Sequence, residues 1–276
     1  MGKIGSWLYS SWGPTEKSAD FISLVENLGF SPSFIIEAGV HDGSDSLKFL
    51  QMKEVINLIG FGPDTFAREI ALKKLANETK KVIVREEGLS DSNSEVELFF
   101  SKNLGVASGS STIVNGSSLN GDSIKIKLTA LDDILPKICC ASDPLNCPHT
   151  GESCGLLWLD VEGNALNALK GMKKTLSKIG IAKVEVEFAK APPLWFHSNA
   201  IKIQALMLTQ GLVCYSSFLQ PAIRGDMVFV RLSKTKIQPR IYLRILIHLF
   251  VVPLLHGIIY PAKRLLNRRS NSRLHR

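Results

Sequence analysis

The sequence predicts an α/β chain built on a doubly wound, mostly parallel sheet whose last strand runs antiparallel. Three observations predict it. Short apolar runs alternate with helical stretches of about a dozen residues, the pattern of βαβ units. The first run ends in an acid and a glycine-bearing turn, Glu37-Ala-Gly-Val-His-Asp-Gly43. The chain then finishes its folded part with two strand-like runs, 211–218 and 226–232, that have no helix between them, so the last must pair antiparallel.

The elements follow in order. Residues 34–38 form a buried strand, 44–52 a helix, 55–61 the next strand, 65–77 a helix and 81–85 a third strand. Residues 95–100 and 124–128 alternate apolar and polar side chains, as a half-exposed hairpin or edge pair does. The Ser-, Gly- and Asn-rich stretch between them, 105–122, reads as a long loop. The parallel pattern resumes with a strand at 156–160, an amphipathic helix at 165–179, a strand at 183–188 and a helix at 200–209. No internal repeat is legible.

Composition narrows the partners. The net charge is +8, yet residues 234–276 hold ten Lys and Arg and no Asp or Glu. The remaining body is therefore mildly acidic, which argues against nucleic acid and places the basic character in a tail suited to anionic lipid headgroups. Within that tail, residues 245–262 carry no formal charge but include Pro253, Gly257 and Pro261. These interrupt a straight spanning helix, so a shallow or re-entrant segment at an anionic cytosolic surface is expected. A helix packed on protein is the alternative. No apolar leader is legible in residues 1–30, and a cytoplasmic, membrane-associated protein is expected.

Four cysteines cluster between Cys139 and Cys154, with Cys140, Cys147 and His149 among them. Their spacing is not a common zinc pattern. Reduced thiols in a loop, with no metal, are expected, and Cys214 reads as a buried core thiol.

The cofactor belongs outside the carboxyl ends of the strands, at the first strand-to-helix turn. That turn lacks G-x-G-x-x-G, which disfavours a dinucleotide pyrophosphate and a nicotinamide-dependent oxidoreductase. By itself the turn is as compatible with a plain loop as with a binding site. Further motifs follow in order: Ile59-Gly-Phe-Gly-Pro-Asp64, Gly88-Leu-Ser-Asp91, Ser108-Gly-Ser-Ser-Thr-Ile113, Leu128-Thr-Ala-Leu-Asp-Asp-Ile134, and Leu157-Trp-Leu-Asp-Val-Glu-Gly163 followed by Leu169-Lys-Gly171. Together with residues 34–43 they resemble the FkbM family of S-adenosylmethionine-dependent methyltransferases.

The resemblance implies a Rossmann-like class I methyltransferase fold and S-adenosylmethionine as cofactor. It implies that Glu37, Gly39 and Gly43, with His41 in the same turn, hold the methionine and ribose part. Ser90 and Asp91 would lie beside the adenine, and Asp160 and Glu162 would face the methyl group and the acceptor. A carboxylate there suits a general base or a group orienting a hydroxyl. Asp160 would equally suit a helix N-cap, and Glu162 an exposed first-turn acid. The sequence departs from the family at two places: Gly62 stands where an acid holds the ribose hydroxyls, with Asp64 two residues on, and Ala165 replaces a second Glu. The expected organisation is a lead-in at 1–33, a methyltransferase domain at 34–233 and the tail at 234–276. The expected activity is O-methylation of a hydroxyl on a sugar, glycolipid or natural product. The rival is a catalytically silent binding module at a membrane.

Overall fold

The computed structural model describes residues 18–99, 112–113, 123–140, 154–161, 163–187, 200–219 and 224–234. Helix α1 (Ser18–Asn27) leads into β1 (Phe34–Ala38), α2 (Ser44–Leu50), β2 (Asn57–Phe61), α3 (Thr65–Leu75) and β3 (Lys81–Arg85). Four strands follow: β4 (Gly88–Leu89), β5 (Ser94–Phe99), β6 (Thr112–Ile113) and β7 (Ser123–Thr129). Next come α4 (Leu131–Leu135), a π-helical turn at Pro136–Cys140, β8 (Gly155–Leu159), α5 (Ala165–Lys170), α6 (Lys173–Leu176) and β9 (Ile179–Glu187). Helix α7 (Ala200–Thr209), β10 (Val213–Leu219) and β11 (Arg224–Val230) complete the described chain before a single 3-10 turn, Leu232–Lys234.

The main sheet has seven strands in the order β10-β11-β9-β8-β1-β2-β3. β3, β2, β1, β8 and β9 run parallel, and β11 lies antiparallel between β9 and β10. This is the doubly wound sheet with an antiparallel last strand that the sequence predicts. β1, β2 and β8 are buried at every residue, as strands covered on both faces must be. Successive side chains point to opposite faces, so each strand feeds two apolar layers. Phe34, Ile36, Ala38, Leu157 and Leu159 join one layer with α5 and α7. Ile35, Leu58, Leu156 and Trp158 join the other with α1, α2 and α3. Residues 18–27 fall in the segment read as a lead-in, yet Phe21 and Val25 are fully buried in this second layer.

The half-exposed pair read at 95–100 and 124–128 is antiparallel, but it stands in a separate four-stranded sheet, β4-β7-β5-β6. Its inner face buries Leu98, Ile126 and Leu128. Its outer face sets Glu95 opposite Lys127 and Glu97 opposite Lys125, opposite-charge pairs that favour this register.

The single helix expected over 165–179 is corrected to two short helices, and Ile179 already belongs to β9. The chain breaks at Gly171, where a Cβ would fall 1.9 Å from the Ser90 carbonyl oxygen. The Asp132 carboxylate restarts it, accepting from the backbone N–H of Lys174 at 2.7 Å and of Thr175 at 2.9 Å. An acceptor at the first turn satisfies donors that no helical carbonyl reaches. A remote side chain thus decides a boundary that local periodicity cannot show.

Candidate active site

Strand order reverses between β1 and β8, because β2 and β3 lie on one side and β9, β11 and β10 on the other. Ligands of doubly wound sheets bind at that reversal, outside the carboxyl ends of the strands. There the backbone turns sharply. Gly39 has φ +98°, and a Cβ on it would sit 2.0 Å from the Asp160 carbonyl oxygen. The amide of Asp160 donates to the Ala38 carbonyl at 2.9 Å, so the ends of β1 and β8 are joined directly beneath the site.

A cavity of about 290 Å³ opens above them, at the lower end of the usual range of roughly 300–1,000 Å³ for small-molecule sites. Gly39, His41 and Asp160 line it on the β1–β8 side, with Gly62, Asp64 and Arg68 at the end of β2 and in the first turn of α3. Leu89 and the inner face of the small sheet, Leu98, Ile126 and Leu128, supply an apolar wall. Gly39, His41, Asp64 and Asp160 are thus brought together around one cavity.

The other expected residues among those described do not line it. Glu37 is one layer down and only 2% exposed, accepting a hydrogen bond from Ser46 Oγ at 2.5 Å. Burial, with the charges of Asp45, Asp42 and Asp160 behind it, pushes its carboxyl up to about 8 against the opposing Ser46 hydrogen bond. It is therefore neutral at pH 7 in this state. Gly43 is also outside the lining: its φ is +76° and a Cβ would meet Ala71 Cα and Cβ at 3.1 Å. The missing side chain at Gly43 lets α2 pack closely on α3. Ser90 is buried and its amide donates to the Thr129 carbonyl at 2.9 Å, Asp91 is exposed, and Gly88 and Leu89 line the cavity instead. Glu162 lies outside the described residues.

Asp64 has a second duty. Its Oδ1 caps α3, accepting from the amides of Phe66 at 2.9 Å and Ala67 at 3.2 Å. Asp42, beside the turn, is held by Lys74 Nζ at 2.6 Å and by Ser44. Its partial burial opposes ionisation, but these hydrogen bonds outweigh it and keep its carboxyl well below the usual range.

Asp160 is not a helix N-cap; Asn164 holds that place on α5. Its Oδ2 accepts from Lys183 Nζ at 3.2 Å. Lys183 also pairs with Asp226 at 2.8 Å, and its ammonium stands 4.3 Å from the centroid of the Trp158 ring. Burial disfavours the charge, yet Asp160 and Asp226 together raise the Lys183 pKa above its ordinary value, so the amine stays protonated. Register places Glu37, Trp158 and Lys183 side by side on β1, β8 and β9. Sequence reasoning passed over Lys183 and Asp226. The available signal was one lysine inside the apolar run of β9, and nothing local links it to an acid forty-odd residues on.

Of the cysteine cluster, Cys147 and His149 lie outside the described residues. Cys154 and Cys214 are free thiols, and Cys214 is buried in the core as expected. Among the described residues no group of His, Cys, Asp and Glu is placed to hold a metal ion.

The lining fits an adenosyl sulfonium. A side chain at Gly39 would occupy the close approach at the β1–β8 floor, the leucine and isoleucine wall suits a flat base, and the carboxylates of Asp64 and Asp160 suit hydroxyl and cationic groups. Comparison with known proteins agrees. The sequence matches the Methyltransferase FkbM domain over residues 37–207. Comparison with curated proteins gives no match. Among solved structures, an FkbM methyltransferase from Methylobacillus flagellatus is similar at 15% identity and a TM-score of 0.41, over 72% of this chain and 44% of that one. This chain thus spans less than half the length of that protein. The N-terminal domain of EvdMO1, solved with S-adenosylhomocysteine and D-fucose, is similar at 9% identity and a TM-score of 0.42, over 79% of this chain and 83% of that one. With the family match extending across well over half of its 276 residues, this chain belongs to the FkbM family of S-adenosylmethionine-dependent methyltransferases.

Proposed function

We propose that the chain methylates a hydroxyl of a sugar, glycolipid or similar small natural product. One observation carries the reading: a carboxylate, Asp160, lines the cavity at the β1–β8 reversal and is held there by a buried ammonium. Bound S-adenosylmethionine supplies an electrophilic methyl group on a sulfonium. Gly39 and His41 border its methionine end, Asp64 takes ribose hydroxyls with the oxygen that the helix cap leaves over, and the Leu98–Ile126–Leu128 wall excludes water from the base. Asp160 accepts the hydrogen bond of the acceptor hydroxyl, orients its oxygen and receives its proton. Glu162 is a second acceptor for the same hydroxyl in this reading. No metal is required.

A second reading draws on Gly62 and Asp64. No carboxylate stands at position 62, and half of Asp64 is spent on α3, which favours a silent module that binds cofactor weakly. In both readings residues 34–233 form the working unit, with α1 packed into its core. The basic tail from 234 holds it at an anionic cytosolic membrane surface; the tail beyond Lys234 lies outside the described residues, and among those described no helix is long and apolar enough to cross a membrane. Calorimetry with S-adenosylhomocysteine, then label transfer from S-adenosylmethionine to a panel of sugars and glycolipids, tests both. Wild-type protein that ignores S-adenosylhomocysteine sinks the methyl-transfer reading, and binding with no transfer that Asp160→Asn could abolish selects the silent module.

A further inference from the structure

β9 is an interior strand in which Ile181, Ala182, Val184 and Val186 are all buried. A lysine in its middle is energetically out of place. Desolvating an ammonium and a carboxylate costs several kcal/mol each in real proteins, and apolar side chains of similar size usually serve a fold as well or better. At Lys183 the charge is nonetheless kept, at 2% exposure, and contacted on three sides: Asp226 at 2.8 Å, Asp160 at 3.2 Å and the Trp158 ring at 4.3 Å. The contacts are themselves anchored. Asp226 is 4% exposed, and Trp158 packs between Phe21 and Phe49 at centroid distances of 5.4 and 5.3 Å.

Two members of the cluster line the cavity, Trp158 and Asp160, and of these only Asp160 carries a charge, on a side chain that is 37% exposed. Lys183 engages Oδ2, and Oδ1 has no hydrogen-bond partner among the described residues. Resting on the methyl-transfer reading, we propose that Lys183 is a positioning residue: braced by Asp226 and the face of Trp158, it fixes the Asp160 carboxylate in one orientation toward a cationic or hydroxyl group of the bound ligand. The cluster spends its unfavourable burial at the one place where the orientation of a carboxylate decides chemistry.

Two cofactor analogues make the proposal measurable without knowing the acceptor. S-adenosylhomocysteine carries nothing at the transferred-methyl position; sinefungin carries an amine there, protonated at neutral pH. A fixed Asp160 carboxylate should make the full chain bind sinefungin at least about tenfold more tightly, the scale of one charge-assisted hydrogen bond. Asp160→Asn should abolish that preference. Lys183→Met combined with Asp226→Asn removes both buried charges together and leaves neither unpaired. It should bring the two affinities within about threefold of each other while leaving S-adenosylhomocysteine affinity unchanged. A double variant that keeps the wild-type preference overturns the positioning role. Should it fail to fold, the wild-type protein still decides: the buried Lys183 ¹⁵Nζ resonance should shift on adding sinefungin and stay put with S-adenosylhomocysteine, and a resonance indifferent to both overturns the proposal. Failure of wild type to bind either analogue defeats the methyl-transfer reading itself and is thereby told apart.

Discussion

The buried Glu37 carboxyl makes stability depend on pH in a way that can be worked out. Its pKa is raised from 4.5 to about 8, chiefly by burial. The unfolded chain releases this proton near 4.5, whereas the folded chain holds it to about 8. The group's favourable contribution is therefore fully present below 4.5 and is lost as the pH rises through 8. At about 1.4 kcal/mol per pKa unit, wild type should lose roughly 3–4 kcal/mol between pH 5 and pH 8 on account of this residue alone. Glu37→Gln keeps the shape and can still accept from Ser46 Oγ, but has no proton to lose. Urea unfolding of both proteins at a series of pH values isolates the term, because Asp42 and every other group titrate equally in both. The gap between the two stability curves should change by that amount, in favour of the variant at high pH. Parallel curves would mean that Glu37 is already ionised in the folded protein and that its burial has been misjudged.

Gly39→Ala should destabilise the fold by about 2–4 kcal/mol, since it combines positive-φ strain with a Cβ forced toward the Asp160 carbonyl; thermal unfolding reads this directly, and a neutral change would contradict the close approach. Gly43→Val should act in the same manner, lowering Tm through its collision with Ala71, and calorimetry on whatever remains folded should find cofactor affinity little altered. Gly62→Glu should tighten S-adenosylhomocysteine binding about tenfold by restoring an acceptor for the ribose hydroxyls, because a Cβ there meets only Val40 Cβ at an ordinary 3.7 Å; weaker binding would show that Asp64 already fills the role. Removing residues 235–276 should abolish co-sedimentation with anionic vesicles without affecting cofactor affinity, and a full-length chain that ignores such vesicles refutes the membrane proposal.

Much of this protein is written locally. An apolar run closing on Glu37 and a glycine-bearing turn announces β1 and the site above it, because a strand covered on both faces favours apolar side chains and a sharp turn needs a residue without Cβ. The same local logic places β2, β3, β8 and α7, and the order of the motifs names the family. What the sequence could not show are relations between residues far apart along the chain. Glu37 reads as a ligand-facing acid until the packing of α2 buries it against Ser46. The run 165–179 reads as one helix until Ser90 and Asp132 interrupt and restart it. Lys183 reads as an ordinary strand lysine until β8 and β11 bring Asp160 and Asp226 to either side of it. Propensity, periodicity and turn chemistry act over a few residues and so are legible in order along the chain. Burial, charge pairing and the choice of which carboxylate faces the cavity depend on strands that meet only after the sheet has formed, and those the tertiary structure alone decided.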